Sequence, residues 1–376
     1  MKKSLIALAV LAASGAAMAQ SSVTLYGVLD TGVSYFKGDD SVYGLTKTGG
    51  NVNSRLGFRG VEDLGNGLKA TFNLEAGFNV DDGTGYLGKG GPDDSGLQFR
   101  RTSTVGLAGN FGEVRFGRML TSSYLAVSRY DAFGDTGAGG SLAWNANQTG
   151  YAPRAENAIS FTSANYNGFK FGVEYGFGEQ KKASDRRYIG IGATYDNGPL
   201  SLGLGFDRLN GDTADNTAWD LNQTTWQLGG AYNFGVAKLM GFYKQSKDKE
   251  TGLNAGNDSL KLKTFGLGVT APVGAAGEVR ASYNHYRASA DITGLNTPTL
   301  KADQLSLGYV HNLSKRTALY GTYAYLKNKN KDGDNLGLQL NGAMPGAGLS
   351  DSGAQHGRKL VFATLSNLRL GSPSFG

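Results

Sequence analysis

The chain has 376 residues, no cysteine, three histidines and a formal net charge of +6. The lack of cysteine excludes a disulfide framework and thiolate chemistry. The basic residues are scattered singly rather than clustered, which speaks against nucleic acid as a partner.

The first 19 residues read as a secretory signal peptide. Lys2 and Lys3 are a positive start, Leu5 to Ala13 a short apolar core, and Ala17-Met18-Ala19 a small-residue cleavage pattern. The mature chain then begins near Gln20. Losing two lysines takes its charge from +6 to +4. No later apolar run reaches the roughly 20 residues of a membrane helix. Glycine is abundant (59), proline scarce (7), and there are 19 tyrosines and 18 phenylalanines. That composition favours strands and turns.

Along the mature chain, side-chain character alternates with period two and no comparable helical period. Val23, Leu25, Gly27 and Leu29 share one face of the first stretch; Thr24, Tyr26, Val28 and Asp30 share the other. Ser54 to Phe78 reads as a hairpin around Gly65-Asn66-Gly67. Leu56, Phe58, Phe72, Leu74 and Phe78 form its greasy side; Arg55, Arg59, Thr71, Asn73 and Glu75 form its polar side.

Short turns recur near residues 64–67, 109–112, 166–168, 196–199, 234–236, 273–277 and 312–316. Between them lie longer polar segments, such as 81–96, 179–186, 210–222, 248–258, 288–302 and 328–355. The pattern predicts an all-β fold: a sixteen-stranded antiparallel transmembrane β-barrel, with short turns at one end and long loops at the other. A spanning strand needs about 9–11 residues, so the length suffices. Closure removes the unpaired edges that lipid would not tolerate. The greasy faces then meet lipid and the polar faces a water-filled lumen. Tyr26, Phe36, Tyr188, Tyr195, Trp226 and Tyr309 are candidates for interfacial aromatic girdles. A soluble sandwich is the alternative; at this length it would need two or more domains, and no linker or composition shift is present.

Several stretches carry a family resemblance. Ser22-Val23-Thr24-Leu25-Tyr26-Gly27-Val28-Leu29-Asp30 resembles the opening of the general diffusion porins of Gram-negative bacteria, especially the β-proteobacterial (Neisseria/Burkholderia-type) branch. So do Ser54 to Gly60 with Glu62-Asp63-Leu64, Val105-Gly106-Leu107, and Phe116-Gly117-Arg118. The resemblance extends to about Gly357. It implies residence in the cell outer membrane, contact with its lipid and lipopolysaccharide, and a homotrimer of channels for anions and other small hydrophilic solutes. It also implies a third long loop folded inward as a constriction, here about residues 121–157, with Gly137–Gly140 and Trp144.

The family sets basic residues on the wall opposite acidic residues on that loop. By motif the wall arginines fall on Arg55, Arg101 and Arg154; Arg100 is the rival of Arg101 because strand parity separates them. Arg118 and Asp131 are candidates at the two ends of the loop's first leg, and Asp135 is the other acidic candidate. Arginine stays charged and is weakly hydrated, so it suits a fixed anion guide. Arginines outnumber the loop acids, which predicts a modest anion preference. Lys47, Lys181 and Lys182 also bear on it.

No enzyme is expected, and no cofactor or metal. His285, His311 and His356 lack metal-ligand spacing, and nothing resembles a nucleophile elbow. Gly203-Leu204-Gly205 sits within a strand with no helix after it, so it is not a nucleotide loop. A substrate-specific channel and a surface adhesin barrel are the other readings. The sequence departs from the family at residues 358–376, where Leu360 to Leu365 do not separate into two faces, Pro373 interrupts, and Phe375 is penultimate. Such a segment is expected to close a sheet poorly.

Overall fold

The computed structural model describes residues 22–38, 40–47, 49–86, 96–142, 153–180, 183–211, 221–250, 258–292, 299–329, 338–340 and 356–366. The expected leader over 1–19 and Trp144, Lys181, Lys182, Pro373 and Phe375 lie outside the described residues.

Among the described residues, nineteen strands form one antiparallel sheet. In chain order they are β1 (Ser22–Val28), β2 (Val33–Lys37), β3 (Ser41–Leu45), β4 (Arg55–Gly65), β5 (Leu68–Phe78), β6 (Gly85–Tyr86), β7 (Thr102–Gly109) and β8 (Gly112–Leu120). A short helix α1 (Ser122–Val127) and one 3-10 turn (Ser128–Tyr130) follow. Then come β9 (Arg154–Ser163), β10 (Phe169–Gly176), β11 (Tyr188–Asn197), β12 (Leu200–Leu209), β13 (Leu221–Asn233) and β14 (Lys238–Glu250). The last are β15 (Ser259–Val273), β16 (Gly277–Asp291), β17 (Leu300–Asn312), β18 (Ala318–Asn328) and β19 (His356–Ser366).

Neighbours in sequence are mostly neighbours in space. β1 pairs with β4, β4 with β5, β5 with β7 and β7 with β8. From β8 every strand pairs with its successor up to β19. β19 then pairs with β2, from Arg358↔Lys37 to Phe362↔Val33, and β2 with β3. The last strand thus finds the first segment of the chain despite its mixed faces. Its ladder with β18 shifts register between Ala318 and Tyr320.

All seven expected short turns join paired strands. In the first, Asn66 and Gly67 both have positive φ (52° and 78°), as a two-residue hairpin turn matching the strand twist requires. The long-loop ends differ from expectation. β14 runs to Glu250, β15 starts at Ser259 and β16 runs to Asp291, where polar loops were predicted from Asp248 and Ala288. The ladder is made by the backbone, so polar side chains do not end it.

Burial is inverted relative to a water-soluble protein. On β12 Leu202, Leu204 and Phe206 are exposed while Ser201, Gly203, Gly205 and Asp207 are buried. On β17 Leu307 is 60% exposed and Gln304 is 0% exposed. Water would penalise that outer face; lipid would not. Two of the buried apolar clusters lie between the segment 121–142 and the inner face of the sheet. One gathers Ala126, Val127, Tyr130 and Phe133 against Ala231, Met240 and Phe242. The other sets Ala138 and Leu142 against Phe36, Tyr286, Ala302 and Leu326. Three of the expected girdle aromatics therefore change role. Phe36 and Tyr188 are buried, and Tyr26 bonds polar residues of the inner face; Trp226 and Tyr309 are on the exposed face.

Candidate functional site

The segment 121–142 crosses the inner face from β10 to β17. Thr121 caps α1 by accepting from the Tyr124 N–H at 3.2 Å. Two serines then tie the helix to the wall. Ser122 donates to Glu174, through its N–H (2.7 Å) and its hydroxyl. Ser123 Oγ donates to Asp207 (2.6 Å) and accepts from Gln227 Nε2 (2.6 Å).

Glycine on the wall makes this approach possible. A Cβ on Gly203 would lie 2.0 Å from the Ala126 carbonyl oxygen, and one on Gly192 2.1 Å from that of Ser122. Further along, Tyr130 shares a hydrogen bond with Ser201 (2.9 Å), and Arg129 grips Asp196 with two nitrogens (3.0 and 2.7 Å). At the far side, Gln304 Nε2 donates to the carbonyls of Ala138 (3.0 Å) and Gly140 (3.1 Å), and Leu142 N donates to Tyr286 OH (2.9 Å). The first loop meets the segment there, because a Cβ on Gly137 would fall on the Gly50 carbonyl. That loop is held by Asp30, which accepts from the N–H groups of Asn51 (2.9 Å) and Val52 (2.7 Å) and from Tyr320 OH (2.6 Å).

A charged group sits on β1, β4, β5 and the strand starts beside them. The Glu75 carboxylate is 2.7 Å from Arg101 Nε and 3.7 Å from Arg55 Nε, and it accepts from Tyr26 OH at 2.9 Å. The Arg59 guanidinium lies over the Tyr26 ring, 5.4 Å from its centre. Arg154 Nε donates to the Arg101 carbonyl at 2.9 Å. Arg154 also acts electrostatically on Asp135, which accepts from Tyr124 OH. Burial pushes the Asp135 carboxyl up to about 6; the Tyr124 hydrogen bond opposes this, and the neighbouring Asp131 adds to it.

The structure thus joins Arg55 and Arg101 at Glu75, sets Arg154 on the Arg101 backbone and puts Asp135 within electrostatic reach of Arg154. The other two candidates are engaged with other partners. Arg118 donates to the Arg100 carbonyl (2.6 Å) and pairs with Glu156 (2.9 Å). Asp131 is 6% exposed and accepts from the N–H groups of Phe133 (2.9 Å) and Ser141 (2.7 Å), so its carboxylate organises the segment's own backbone. Sequence reasoning put Glu75 on the arginine side of the hairpin without seeing that it joins two arginines. It took Tyr26 for a girdle residue. The register Tyr26↔Gly57↔Glu75 brings these together, and no local signal encodes it.

Comparison with known proteins gives consistent matches. A family model for Gram-negative porins matches residues 5–331. The outer membrane porin protein 32 of Delftia acidovorans is 48% identical, over 96% of this chain and 100% of that one. An outer membrane porin of Bordetella pertussis is 33% identical, over 87% of this chain and 95% of that one. A solved structure described as an anion-selective porin from Comamonas acidovorans superposes with a TM-score of 0.76 at 42% identity, covering 92% of this chain and 100% of that one.

Proposed function

The chain belongs to the Gram-negative porin family, and on that premise we propose how it conducts. It is a general diffusion porin of the cell outer membrane, passing ions and small hydrophilic solutes down their gradients. The transport is passive. No step needs a cofactor.

β1 and β2 are one spanning strand interrupted at Leu29 to Gly32, while β3 and β6 are extensions within loops. Counted so, the sheet is a sixteen-stranded barrel closed between β19 and β2. The ladder from β4 round to β19, with β1 on β4 and β2 on β19, supports this. The segment 121–142 belongs to the inward-folded third loop, supported by the bonds of Ser122, Ser123 and Gln304, and the expected far end of that loop at 157 falls instead within β9. The working unit is a homotrimer in outer-membrane lipid, as the family implies, and residues 1–19 are the cleaved export signal.

One observation carries the selectivity. Arg55 and Arg101 flank a single wall carboxylate, Glu75, Arg154 reaches the Arg101 backbone carbonyl, and the loop acid within electrostatic reach of Arg154 is Asp135. Three fixed cations against two carboxylates in a narrow water path raise the local anion concentration. Transport is therefore mildly anion-selective.

The test is single-channel conductance of the refolded full-length protein in a planar bilayer under a salt gradient. Steps in groups of three with a reversal potential toward chloride are expected. Cation-selective steps would overturn the charge assignment, and a silent membrane would overturn the open pore.

A further inference from the structure

Arg59 differs from the cations around it on the inner face. It follows Arg55 by four residues on β4, so on a tilted barrel strand it lies roughly 10 Å further toward the short turns. It shares the inward parity of Arg55 and is exposed. Among the described residues no carboxylate lies within ion-pair distance of it. Its neighbours toward the short turns are matched by acids. Lys69 faces Asp63 across the β4–β5 ladder, and Arg115 lies 3.7 Å from Glu113. Across the sheet Arg280 pairs with Glu278 at 2.6 Å.

Tyr26 explains the difference. Register sets Tyr26 beside Gly57, the inward residue between Arg55 and Arg59, and sets Gly57 beside Glu75. The ring rests against that glycine: a Cβ there would lie 2.6 Å from the Tyr26 hydroxyl oxygen and 2.7 Å from its ring carbon Cε1. The hydroxyl is fixed 2.9 Å from a Glu75 oxygen and 2.9 Å from Asn73 Oδ1. Arg59 lies over the ring, 5.4 Å from its centre. An aromatic face attracts a cation without cancelling its charge. The ring therefore divides the wall. On one side Glu75 is shared by Arg55 and Arg101; on the other Arg59 keeps its whole charge, with the ring between it and Glu75.

We infer that Arg59 is a specificity-determining residue of the pore. It is a second station for anions, on the short-turn side of the group formed by Arg55, Arg101 and Glu75, and it is held there by Tyr26. The solutes it takes are inorganic anions and small carboxylates. Arg59 stays charged and offers a carboxylate a planar fork of donors. An anion at Arg55 is within about one Debye length of it at physiological salt, about 8–10 Å, so the two stations act on the same ion. Two weak sites in series let an anion enter and still leave. This rests on the diffusion-pore reading above and adds to it a residue outside the three wall arginines.

The test uses the refolded full-length protein in a planar bilayer, with the chloride-to-cation permeability ratio read from the reversal potential under a KCl gradient. The chain has no cysteine, so Arg59→Cys introduces a single thiol. Arg59→Cys should lower the ratio by about twofold. A cationic methanethiosulfonate reagent, which returns a positive charge after folding, should restore it; the anionic sulfonatoethyl reagent should lower it further. The same reagents on Lys315→Cys, exposed in the short turn 312–316, should leave the ratio unchanged. Should Arg59→Cys fail to refold, Arg59→Gln decides. Its conductance should fall below wild type in about 0.1 M KCl and match it in about 1 M, where the Debye length is only about 3 Å. Open Arg59→Cys channels that neither reagent changes, or an Arg59→Gln deficit that persists in high salt, overturn the station while leaving the pore. Silent wild-type protein overturns the pore reading and the station with it.

Discussion

The Arg101 guanidinium lies 2.7 Å from the Glu75 carboxylate, and the same carboxylate faces Arg55 at 3.7 Å. In the proposed ion path, Glu75 should therefore offset part of the charge that the arginines present to a passing ion. Glu75→Gln should raise the chloride-to-cation permeability ratio by about twofold. The reversal potential under a salt gradient reads this directly. A shift toward cations would mean that Glu75 holds the arginines in place rather than screening them.

Arg154 links the wall to the loop through the Arg101 carbonyl and through its effect on Asp135. Replacing Arg55, Arg101 and Arg154 together by glutamine should abolish the chloride preference while leaving open steps. Arg118→Gln, which breaks the pair with Glu156, should leave the reversal potential within about a tenth of its wild-type value, since an exposed pair on this scale contributes little.

At the proposed constriction, Asp135 should give the pore a pH dependence. Its carboxyl is raised from 3.8 to about 6, mainly by burial. Between pH 7.5 and pH 5 it takes up a proton, the constriction gains one positive charge, and chloride preference should increase. Asp135→Asn should remove that step. The stability sign follows from the raised value: the folded chain holds this proton more tightly than the unfolded chain. Its stabilising contribution is complete below about pH 3.8 and is lost as pH rises through about 6. Asp135→Asn should therefore melt above wild type at pH 7.5, and the difference should vanish near pH 4.

Asp131 is buried and accepts two backbone N–H bonds. Asp131→Ala strands those donors and should cost about 1–3 kcal/mol of thermal stability. It should add noise to the open current without moving the reversal potential. A clear change in selectivity would return Asp131 to the ion path.

Gly203 admits the helix backbone, with the Ala126 oxygen where a Cβ would stand. Gly203→Val should push α1 off the wall toward the lumen. Conductance should fall, and stability should drop by about 1–3 kcal/mol. Leu204→Val, on the exposed side of the same strand, should change neither measurably.

Period-two alternation and seven turn signatures made the sheet, its hairpins and its two faces legible in the sequence, because strand geometry sends successive side chains to opposite sides. The turn at Asn66-Gly67 is where local chemistry placed it. Alternation could not say which face held the aromatics Tyr26, Phe36 and Tyr188, since an aromatic serves an interface or a packed inner face equally well. Nor could it find strand ends, as the polar extensions of β14 to β16 show.

By itself the sequence determined the alternating, glycine-rich, cysteine-free strands, and with them a protein whose apolar surface needs lipid. The tertiary structure alone decided what each inner residue touches. Glu75 meets Arg101 across 26 positions, Ser123 meets Gln227 across 104, and Gln304 meets Gly140 across 164. The physical reason is range. Alternation is a property of neighbouring residues, whereas the site depends on register between strands and on the path of one loop, which glycines on distant strands make room for.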